Sequence, residues 1–461
     1  MHSKLKIWNI PAKTAVIALS AALAGSFVGS GSNPAAGIRF EAGPKMAAAA
    51  SANSAEVSTA GTQQSGMYRI VAIGDSLTAG YEPGMENVKN PVPYGYADRV
   101  YEQALFHGLR TEFANYGVLG LSTEGLQNWL NSAQSGSSNP AADEIQSGIA
   151  SIDPRAERIF AATAGLRSDL MQASLVVVTI GGNNFTPLFN KLKDNEDKDV
   201  TDQWLSAVLD EYASDVEAAL RSILQLNAKA QIVVADQYLP ITKYLAGTNA
   251  SGGSNYDYLN QGRVQIKERL SGIAEVLSSE GYNVKVASVG DAFAGHESEY
   301  TNISNIGKRD IHPTQTGYSV MGREFASAIW GDYIQPSPRP ANVPISVVVS
   351  GKELGPASKP IVKNNTTYVP MRDIAIAAGA DLKWSNKTRT ASVKLGGREV
   401  AFTIGSKSMK VDGKAVPLTT PAFLQQSAAD TKTYLPLAAL SRGLDLQVVY
   451  RSGIKTVFIN R

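Results

Sequence analysis

The chain has 461 residues, of which 43% are hydrophobic and 18% charged, and its formal net charge is +2. These values are typical of a globular protein with two or three domains, and the near-neutral charge argues against a nucleic-acid-binding surface. The sequence contains no cysteine, which excludes disulfides, thiolate metal sites and cysteine nucleophiles.

The N-terminus has the pattern of an export signal. Lysines precede the short apolar run AVIALSAALAGSFVG at 15–29, which is too short and too rich in small residues for a membrane span. We expect a signal peptide over residues 1–34. Sequences that resemble a cleavage site occur near Ala35 and near Ala50, and either could be the point of cleavage. The alternative is that the segment is retained as an N-terminal anchor. Residues 35–66 lack hydrophobic periodicity and predict a low-complexity leader.

The first predicted strand ends close to a serine. Residues 70–80 read IVAIGDSLTAG, in which an apolar run predicts a buried strand that Gly74 interrupts. Ser76 then lies at the carboxyl end of this strand, where ligands bind in α/β sheets. Ser76 is therefore a candidate nucleophile, and capping of the following helix is its alternative role.

Strand and helix patterns alternate after this point. The predicted strands are 68–73, 110–116, 175–180, 231–235 and 283–288. The predicted helices are 93–107, 123–134 with Thr123 as cap, 154–172, 203–226, 256–280 and 314–330, and 191–201 is predicted as a charged loop. This alternation predicts one three-layer α/β/α domain with a parallel five-stranded sheet over residues 67–333.

The remaining residues form a proline-rich linker, 334–344, and a smaller module, 345–461. The module contains an internal repeat, because TYVPM at 367–371 matches TYLPL at 433–437. In each copy a strand enters a proline turn, a short helix ends at glycine, and a hairpin follows. The repeat predicts a small α+β module whose two copies share a core.

A serine nucleophile needs a base, and the chain has four histidines. His2 lies in the export signal, His107 ends a predicted helix and His296 lies in a polar loop. His312 precedes the last helix of the α/β domain and has Asp310 two residues before it. His312 is therefore the candidate base, and Asp310 is the candidate partner that orients its ring.

Two further residues follow predicted strands. Gly120 follows the second strand and exposes a backbone N–H, and Asn183 follows the third and offers a side-chain amide. Both groups suit a developing oxyanion. In a parallel sheet all carboxyl ends lie at one edge, so these residues are expected near Ser76.

Together these motifs resemble the GDSL/SGNH hydrolase family. The resemblance rests on IGDSL at 73–77, Gly120, GNN at 182–184 and DIHP at 310–313. It implies a flavodoxin-like sheet and metal-free hydrolysis of esters, with Ser76 as nucleophile, His312 as base, and Gly120 and Asn183 in the oxyanion hole.

The chain departs from this family's pattern at two positions. Asn184 stands where the family often has aspartate, which is expected to affect loop support. The family's acid usually lies three residues before the histidine, a position that is Arg309 here. Asp310 remains the candidate acid, with a backbone carbonyl or Asp291 as alternatives.

The C-terminal module resembles the copper amine oxidase N-terminal-like domain, a repeated stalk module of bacterial surface and secreted proteins. The resemblance rests on TYVPMR at 367–372, Gly379, Ala380 and Trp384. No histidine follows His312 and the chain has no cysteine, so the donors that copper prefers are missing from this module. The expected role is attachment to a wall or surface.

The sequence thus predicts a secreted or surface-associated serine esterase or lipase that needs no cofactor and no metal. Its expected partners are a small ester or an acylated glycan, together with the cell surface, and nucleic acid is not expected. The alternatives are a non-catalytic protein that binds surface carbohydrate and a deacetylase of acylated cell-wall glycans. The acyl group and the alcohol are not readable from the sequence.

Overall fold

The computed structural model describes residues 66–85, 92–194, 196–248, 253–305, 310–341, 343–355, 358–363, 366–426 and 431–461. These residues form two compact units, one built mainly from Tyr68–Gln103 and Thr111–Tyr333 and the other mainly from Ile334–Arg461. The expected signal peptide, nearly all of the leader, and Arg309 lie outside the described residues. None of the described helices has the length and apolar character needed to cross a membrane.

The first unit is organised by a parallel five-stranded sheet in the order β2-β1-β3-β4-β5. Its strands are β1 Tyr68–Gly74, β2 Thr111–Gly117, β3 Leu175–Thr179, β4 Gln231–Ala235 and β5 Val284–Ala287. Apolar β-branched residues dominate β1, β3 and β4, as expected for strands covered on both faces. The strand order reverses between β1 and β3, so a crevice opens there at the carboxyl edge.

Helices cover both faces of this sheet, which confirms the three-layer α/β/α fold. The helices are α1 Ser76–Ala79, α2 Tyr96–Phe106, α3 Thr123–Ser135, α4 Ala142–Ile145, α5 Ile149–Ile152, α6 Ala156–Phe160, α7 Thr163–Met171, α8 Thr186–Lys193, α9 Lys198–Leu226, α10 Lys243–Ala246, α11 Asn255–Ser279, α12 Val289–Phe293, α13 Glu297–Tyr300 and α14 Gln315–Trp330. On one face Val71 and Val176 pack with Trp129 of α3 in a large apolar core. On the other face the rings of Tyr96 and Phe325 stack, which joins α2 to α14.

Three local predictions were wrong. The helix expected over 154–172 is two helices, α6 and α7. Much of the loop expected over 191–201 is helical, because α8 ends at Lys193 and α9 begins at Lys198, capped by the Asp197 carboxylate. Finally, α3 is capped by Ser122, whose hydroxyl accepts from the Gly125 N–H, and not by Thr123.

The second unit is a strand-rich α+β module in which both copies of the repeat form the predicted elements. The strands are β6 Ser346–Val349, β7 Lys352–Glu353, β8 Ile361–Lys363, β9 Thr366–Pro370, β10 Asp381–Ser385, β11 Thr390–Leu395, β12 Arg398–Thr403, β13 Ser408–Val411, β14 Lys414–Pro417, β15 Phe423–Gln426, β16 Thr431–Pro436, β17 Gln447–Arg451 and β18 Thr456–Asn460, and the helices are α15 Met371–Ala378 and α16 Leu437–Gly443. The repeated strands β9 and β16 pair with each other, and Ile374 and Leu440 from the two helices share one core.

Candidate active site

The turn after β1 requires glycine at position 74, because the neighbouring backbone leaves no room for a Cβ atom. Gly74 has φ +141°, and a Cβ placed there would lie 2.0 Å from the Thr179 carbonyl oxygen. The next N–H, that of Asp75, donates to the same oxygen at 3.0 Å. The ends of β1 and β3 are thereby drawn together, and Ser76 emerges at the crevice between them.

Asp75, and not Ser76, caps the short helix α1. Its Oδ1 accepts from the Leu77 N–H at 3.0 Å and from the Thr179 hydroxyl at 2.9 Å. Burial raises the pKa of Asp75 to about 6, although these hydrogen bonds oppose the rise. Because the capping role belongs to Asp75, the Ser76 hydroxyl is free for another partner.

That partner is His312. Its Nε2 lies 2.8 Å from the Ser76 Oγ, and the two side chains belong to residues that are 5% and 7% exposed. The Tyr81 ring and the imidazole pack edge to face, with centroids 4.7 Å apart. The backbone of His312 is also held, because the Asn302 side-chain amide donates to the His312 carbonyl at 3.1 Å. The imidazole is therefore held in hydrogen-bonding distance of the serine.

Asp310 lies at the opposite edge of the same imidazole. Its Oδ1 is 2.5 Å from the His312 Nδ1 and also accepts from the His312 N–H at 2.7 Å. Burial opposes ionisation, but the hydrogen bonds and the charge interaction with His312 outweigh it and lower the pKa of Asp310. An ionised carboxylate only accepts, so Nδ1 is the donor, and in the neutral imidazole Nε2 is then the acceptor that faces Ser76.

The alternative acid, Asp291, is engaged elsewhere. Its carboxylate pairs with Arg263 at 2.9 Å and with Lys267. The hydrogen bond from Lys267 lowers the pKa of Asp291, although burial opposes it. Asp291 therefore has no part in orienting His312.

The two predicted oxyanion donors occupy different positions. Asn183 lines the cleft beside Ser76, and its Nδ2 donates to the Leu121 carbonyl at 2.8 Å, which leaves the second amide hydrogen for a ligand. Gly120 has φ +77°, and its carbonyl accepts from the Gln146 amide at 3.0 Å. Gly120 is not among the residues that line the cleft. Of the two predicted donors, only Asn183 lines the same cleft as Ser76.

Residues that the motifs did not indicate support these loops. Asp153 is fully buried, accepts from the Leu119 N–H at 2.9 Å and pairs with Arg155 at 2.7 Å, which fixes the loop containing Gly120. Asn184, which belongs to the GNN motif, accepts from the Thr123 N–H and donates to the Thr123 hydroxyl, and so joins the segment after β3 to the start of α3. The only sequence signal for Asp153 was an acid placed directly before a proline.

Beside Ser76 the crevice widens into a cleft of about 820 Å³, measured with its open mouth. Its lining includes Ser76, His312 and Asn183. It also includes aliphatic and aromatic side chains from α8, α9, α11 and the segment after β4. In the described part of the chain, no cluster of three or more histidine, aspartate or glutamate side chains is arranged to hold a metal ion.

A second buried carboxyl lies close to the cleft. Asp236 is 3% exposed, its Oδ1 accepts from the Gly290 N–H at 2.6 Å, and its Oδ2 has no hydrogen-bond partner among the described residues. Burial raises the pKa of Asp236 to about 6, although the Gly290 N–H opposes the rise. Ionised Asp236 therefore lowers the free energy of unfolding.

This carboxyl predicts a pH-dependent stability. Between its usual pKa of 3.8 and about 6, folded Asp236 keeps a proton that the unfolded chain loses, so its contribution to the free energy of unfolding falls as the pH rises. The variant Asp236→Asn has no carboxyl at this position and so lacks this pH-dependent contribution. As the pH rises from 3.8 to about 6, we expect the free energy of unfolding of the variant, minus that of the wild type, to increase by up to about 3 kcal/mol. This follows from about 1.36 kcal/mol per pKa unit. Urea unfolding followed by tryptophan fluorescence measures it, and a difference that does not change with pH would contradict the prediction.

Two protein-family models match the chain. The model of the GDSL-like Lipase/Acylhydrolase family matches residues 70–325, which is more than half of the chain, and that of the Copper amine oxidase N-terminal domain matches residues 348–459. No curated protein matches the chain.

Similar solved structures include three bacterial enzymes. An extracellular lipase from Streptomyces rimosus is 19% identical, with 57% of this chain and 99% of the lipase covered and a TM-score of 0.36. A phospholipase A1 from Streptomyces albidoflavus NA297 is 18% identical, with coverages of 57% and 99% and a TM-score of 0.36. A family 3 carbohydrate esterase from Clostridium thermocellum is 14% identical, with coverages of 57% and 95% and a TM-score of 0.31. The match to the family model, and not these distant structures, carries the assignment.

Proposed function

The chain belongs to the GDSL-like lipase/acylhydrolase family, and we propose that it cleaves carboxylic esters through a covalent acyl-enzyme formed on Ser76. The observation that carries this proposal is the contact of 2.8 Å between the His312 Nε2 and the Ser76 Oγ, with Asp310 holding the other ring nitrogen. A buried serine that shares a hydrogen bond with an oriented imidazole has the geometry of an activated nucleophile.

In the acylation step, His312 accepts the Ser76 proton as the Oγ attacks the acyl carbonyl. The carbonyl oxygen becomes an oxyanion, which the free Asn183 amide hydrogen and the Ser76 backbone N–H stabilise. The Gly120 N–H, which the family resemblance implies as a further donor, would have to reach this oxygen from outside the residues that line the cleft. His312 then gives its proton to the leaving alkoxide as the ester bond breaks. The products are an alcohol and an acyl-enzyme.

Deacylation repeats these proton transfers with water. His312 takes a proton from a water molecule whose oxygen attacks the acyl-enzyme, and the same donors bind the second oxyanion. When the acyl–oxygen bond to Ser76 breaks, His312 returns the proton to the serine. The carboxylic acid leaves, and the enzyme is restored with all protons accounted for.

Labelling with a fluorophosphonate tests the proposal directly. The full chain is expected to take up one phosphonyl group at Ser76, identified by peptide mass spectrometry, because only an activated serine attacks the reagent at an appreciable rate. Urea-denatured protein is the control and should not react. A folded protein that remains unlabelled would support a non-catalytic binding protein instead.

We further propose that the protein is exported and held at the cell surface by its C-terminal module. Export rests on the lysine-flanked apolar run at 15–29. Attachment rests on the match of residues 348–459 to the Copper amine oxidase N-terminal domain and on the stalk role that this resemblance implies. The donor set of this module, which has neither histidine nor cysteine, does not fit copper, and no step of the mechanism is assigned to that metal.

A further inference from the structure

Charge is distributed unequally along this chain. Residues 345–461 contain 17 lysines and arginines and 7 aspartates and glutamates, which gives a formal net charge of +10. Residues 67–333 contain 20 and 32 of these, which gives a net charge of −12. The near-neutral total is thus the sum of an acidic α/β unit and a basic C-terminal module. A module of this charge attracts polyanions, most strongly where its cations are concentrated.

The antiparallel sheet β10-β11-β12-β13-β14 has a polar outer face with lysines on it. Its inner face packs into the core of the module through residues such as Ala391 and Phe402. Because side chains alternate between the two faces of a strand, the residues next to these point outward. On the outer face the strand register places four residues in one row across four strands: Lys383, Ser392, Ala401 and Lys410.

The two lysines of this row lie on either side of small residues. Lys383 is on β10 and Lys410 on β13, so three strand spacings separate their backbones by roughly 14 Å. The next row on the same face carries hydroxyl groups, from Ser385, Thr390 and Thr403. Neither row has a large apolar side chain that could enter a lipid bilayer. The face therefore suits a linear polar ligand better than a membrane.

Three more cations lie in the turns at one end of this sheet. Lys387 and Arg389 lie between β10 and β11, and Lys407 lies between β12 and β13. The two turns are neighbours, since the Ile404 N–H donates to the Arg389 carbonyl at 3.0 Å. We define the basic end by five exposed residues, none of which forms an ion pair with another described residue: Lys383, Lys387, Arg389, Lys407 and Lys410.

No acidic side chain offsets this charge locally. Residues 382–393 and 400–411, which supply the basic end, contain no aspartate or glutamate, and neither does the bordering segment 415–426. At the opposite end of the sheet, three cations are accompanied by three acids, and Arg398 pairs with Asp412 at 4.0 Å. This neutral end comprises Lys394, Arg398, Lys414, Asp381, Glu399 and Asp412.

We propose that the basic end binds an anionic polymer of the cell surface, a linear chain carrying phosphodiester groups. This inference rests on the proposed attachment through the C-terminal module and names its ligand class. Phosphate oxygens accept from lysine, arginine and hydroxyl groups, which are the donors present on this face. The same polymer would repel the α/β unit, whose net charge is −12, so contact falls to the module.

The first test measures binding of the full chain to lipid-free, fluorescently labelled poly(glycerol phosphate) in 0.15 M salt. The triple variant Lys387→Gln, Arg389→Gln, Lys407→Gln is expected to raise Kd about tenfold to 100-fold. The reason is that each cation close to an anionic surface strengthens binding about fivefold. Fluorescence anisotropy gives the Kd. The substitutions change exposed side chains only, so the variant should fold, which circular dichroism verifies.

The matched control removes the same charge from the neutral end of the same sheet. The triple variant Lys394→Gln, Arg398→Gln, Lys414→Gln should change Kd less than about threefold. In this salt, charges are screened over about 8 Å, and the two ends lie roughly 17 Å apart along β11. Equal losses of affinity in the two triple variants would overturn the proposal, because only overall charge would then matter.

Other sources of phosphodiester groups are outcomes of the same assay. Tighter binding to phosphatidylglycerol vesicles or to duplex DNA than to poly(glycerol phosphate) would overturn the proposal in favour of a membrane or a nucleic acid.

Isolated bacterial cell walls separate the ligand class from the attachment itself. We expect the full chain to bind intact walls and to lose most of this binding once hydrofluoric acid has removed their phosphodiester polymers. Undiminished binding after the acid treatment would retain the attachment but overturn the ligand class. If the protein bound neither preparation, the proposed attachment would fail as well.

Discussion

Replacing Ser76 by alanine is expected to lower kcat/KM for an aryl ester by about 10⁴- to 10⁶-fold, because the variant keeps the oxyanion donors but has no nucleophile to acylate. The fold should survive, since the α1 cap and the bond to Thr179 belong to Asp75. Steady-state assays with p-nitrophenyl octanoate measure the loss, and circular dichroism verifies the fold.

The matched control for this variant is Ser278→Ala. Ser278 lies in α11, and its hydroxyl donates to the Val284 carbonyl at the start of β5 and not to His312. This substitution should leave the rate within about twofold of the wild type, as is usual for positions outside the reacting groups. If a folded Ser76→Ala protein kept wild-type turnover, the acyl-enzyme mechanism would be wrong.

Replacing Asp310 by asparagine should lower kcat by about 10³- to 10⁴-fold with little change in KM. An asparagine can turn its amide nitrogen toward the His312 Nδ1, which would favour the tautomer that presents a proton to Ser76 and cannot accept one. The carboxylate also stabilises the imidazolium that forms during each proton transfer. Single-turnover measurements of acylation would show the loss in the chemical step.

The variant Asp291→Asn distinguishes between Asp310 and Asp291, the two acids that the sequence left as candidates for orienting His312. Asp291 pairs with Arg263 and Lys267, away from His312, so its loss should lower kcat less than about tenfold. A larger effect from Asp291→Asn than from Asp310→Asn would reverse the assignment. Equal, small effects from both variants would indicate that a backbone carbonyl orients the imidazole.

The sequence could predict that the site residues lie at one edge of the sheet, because this follows from the common direction of the parallel strands. Ser76 and Asn183 follow β1 and β3, which are neighbours in a parallel sheet, so both must reach the same edge. Local sequence favoured His312 as the candidate base over His2, His107 and His296. The catalytic roles of these residues stay predictions until the variants are assayed.

The sequence spacing between an acidic residue and His312 could not decide which acid contacts the imidazole. Asp310 lies one position later than the usual family spacing, and residue numbers do not tell whether such a carboxylate can reach the ring. In the structure a bend allows its Oδ1 to contact both the N–H and the Nδ1 of His312. Asn302, which supports this bend, gave no signal of its own because its partners are the backbone carbonyls of His312 and Pro313.

The sequence by itself determined the alternation of strands and helices, the repeated C-terminal module and the four motifs of the site, because hydrophobic period and turn chemistry are local properties. Only the tertiary structure decided that Asp75 caps the helix after β1 and so leaves Ser76 to bond to His312. It also decided that the Asp310 carboxylate contacts the His312 ring. These features depend on packing between segments far apart in the chain, which no local pattern records.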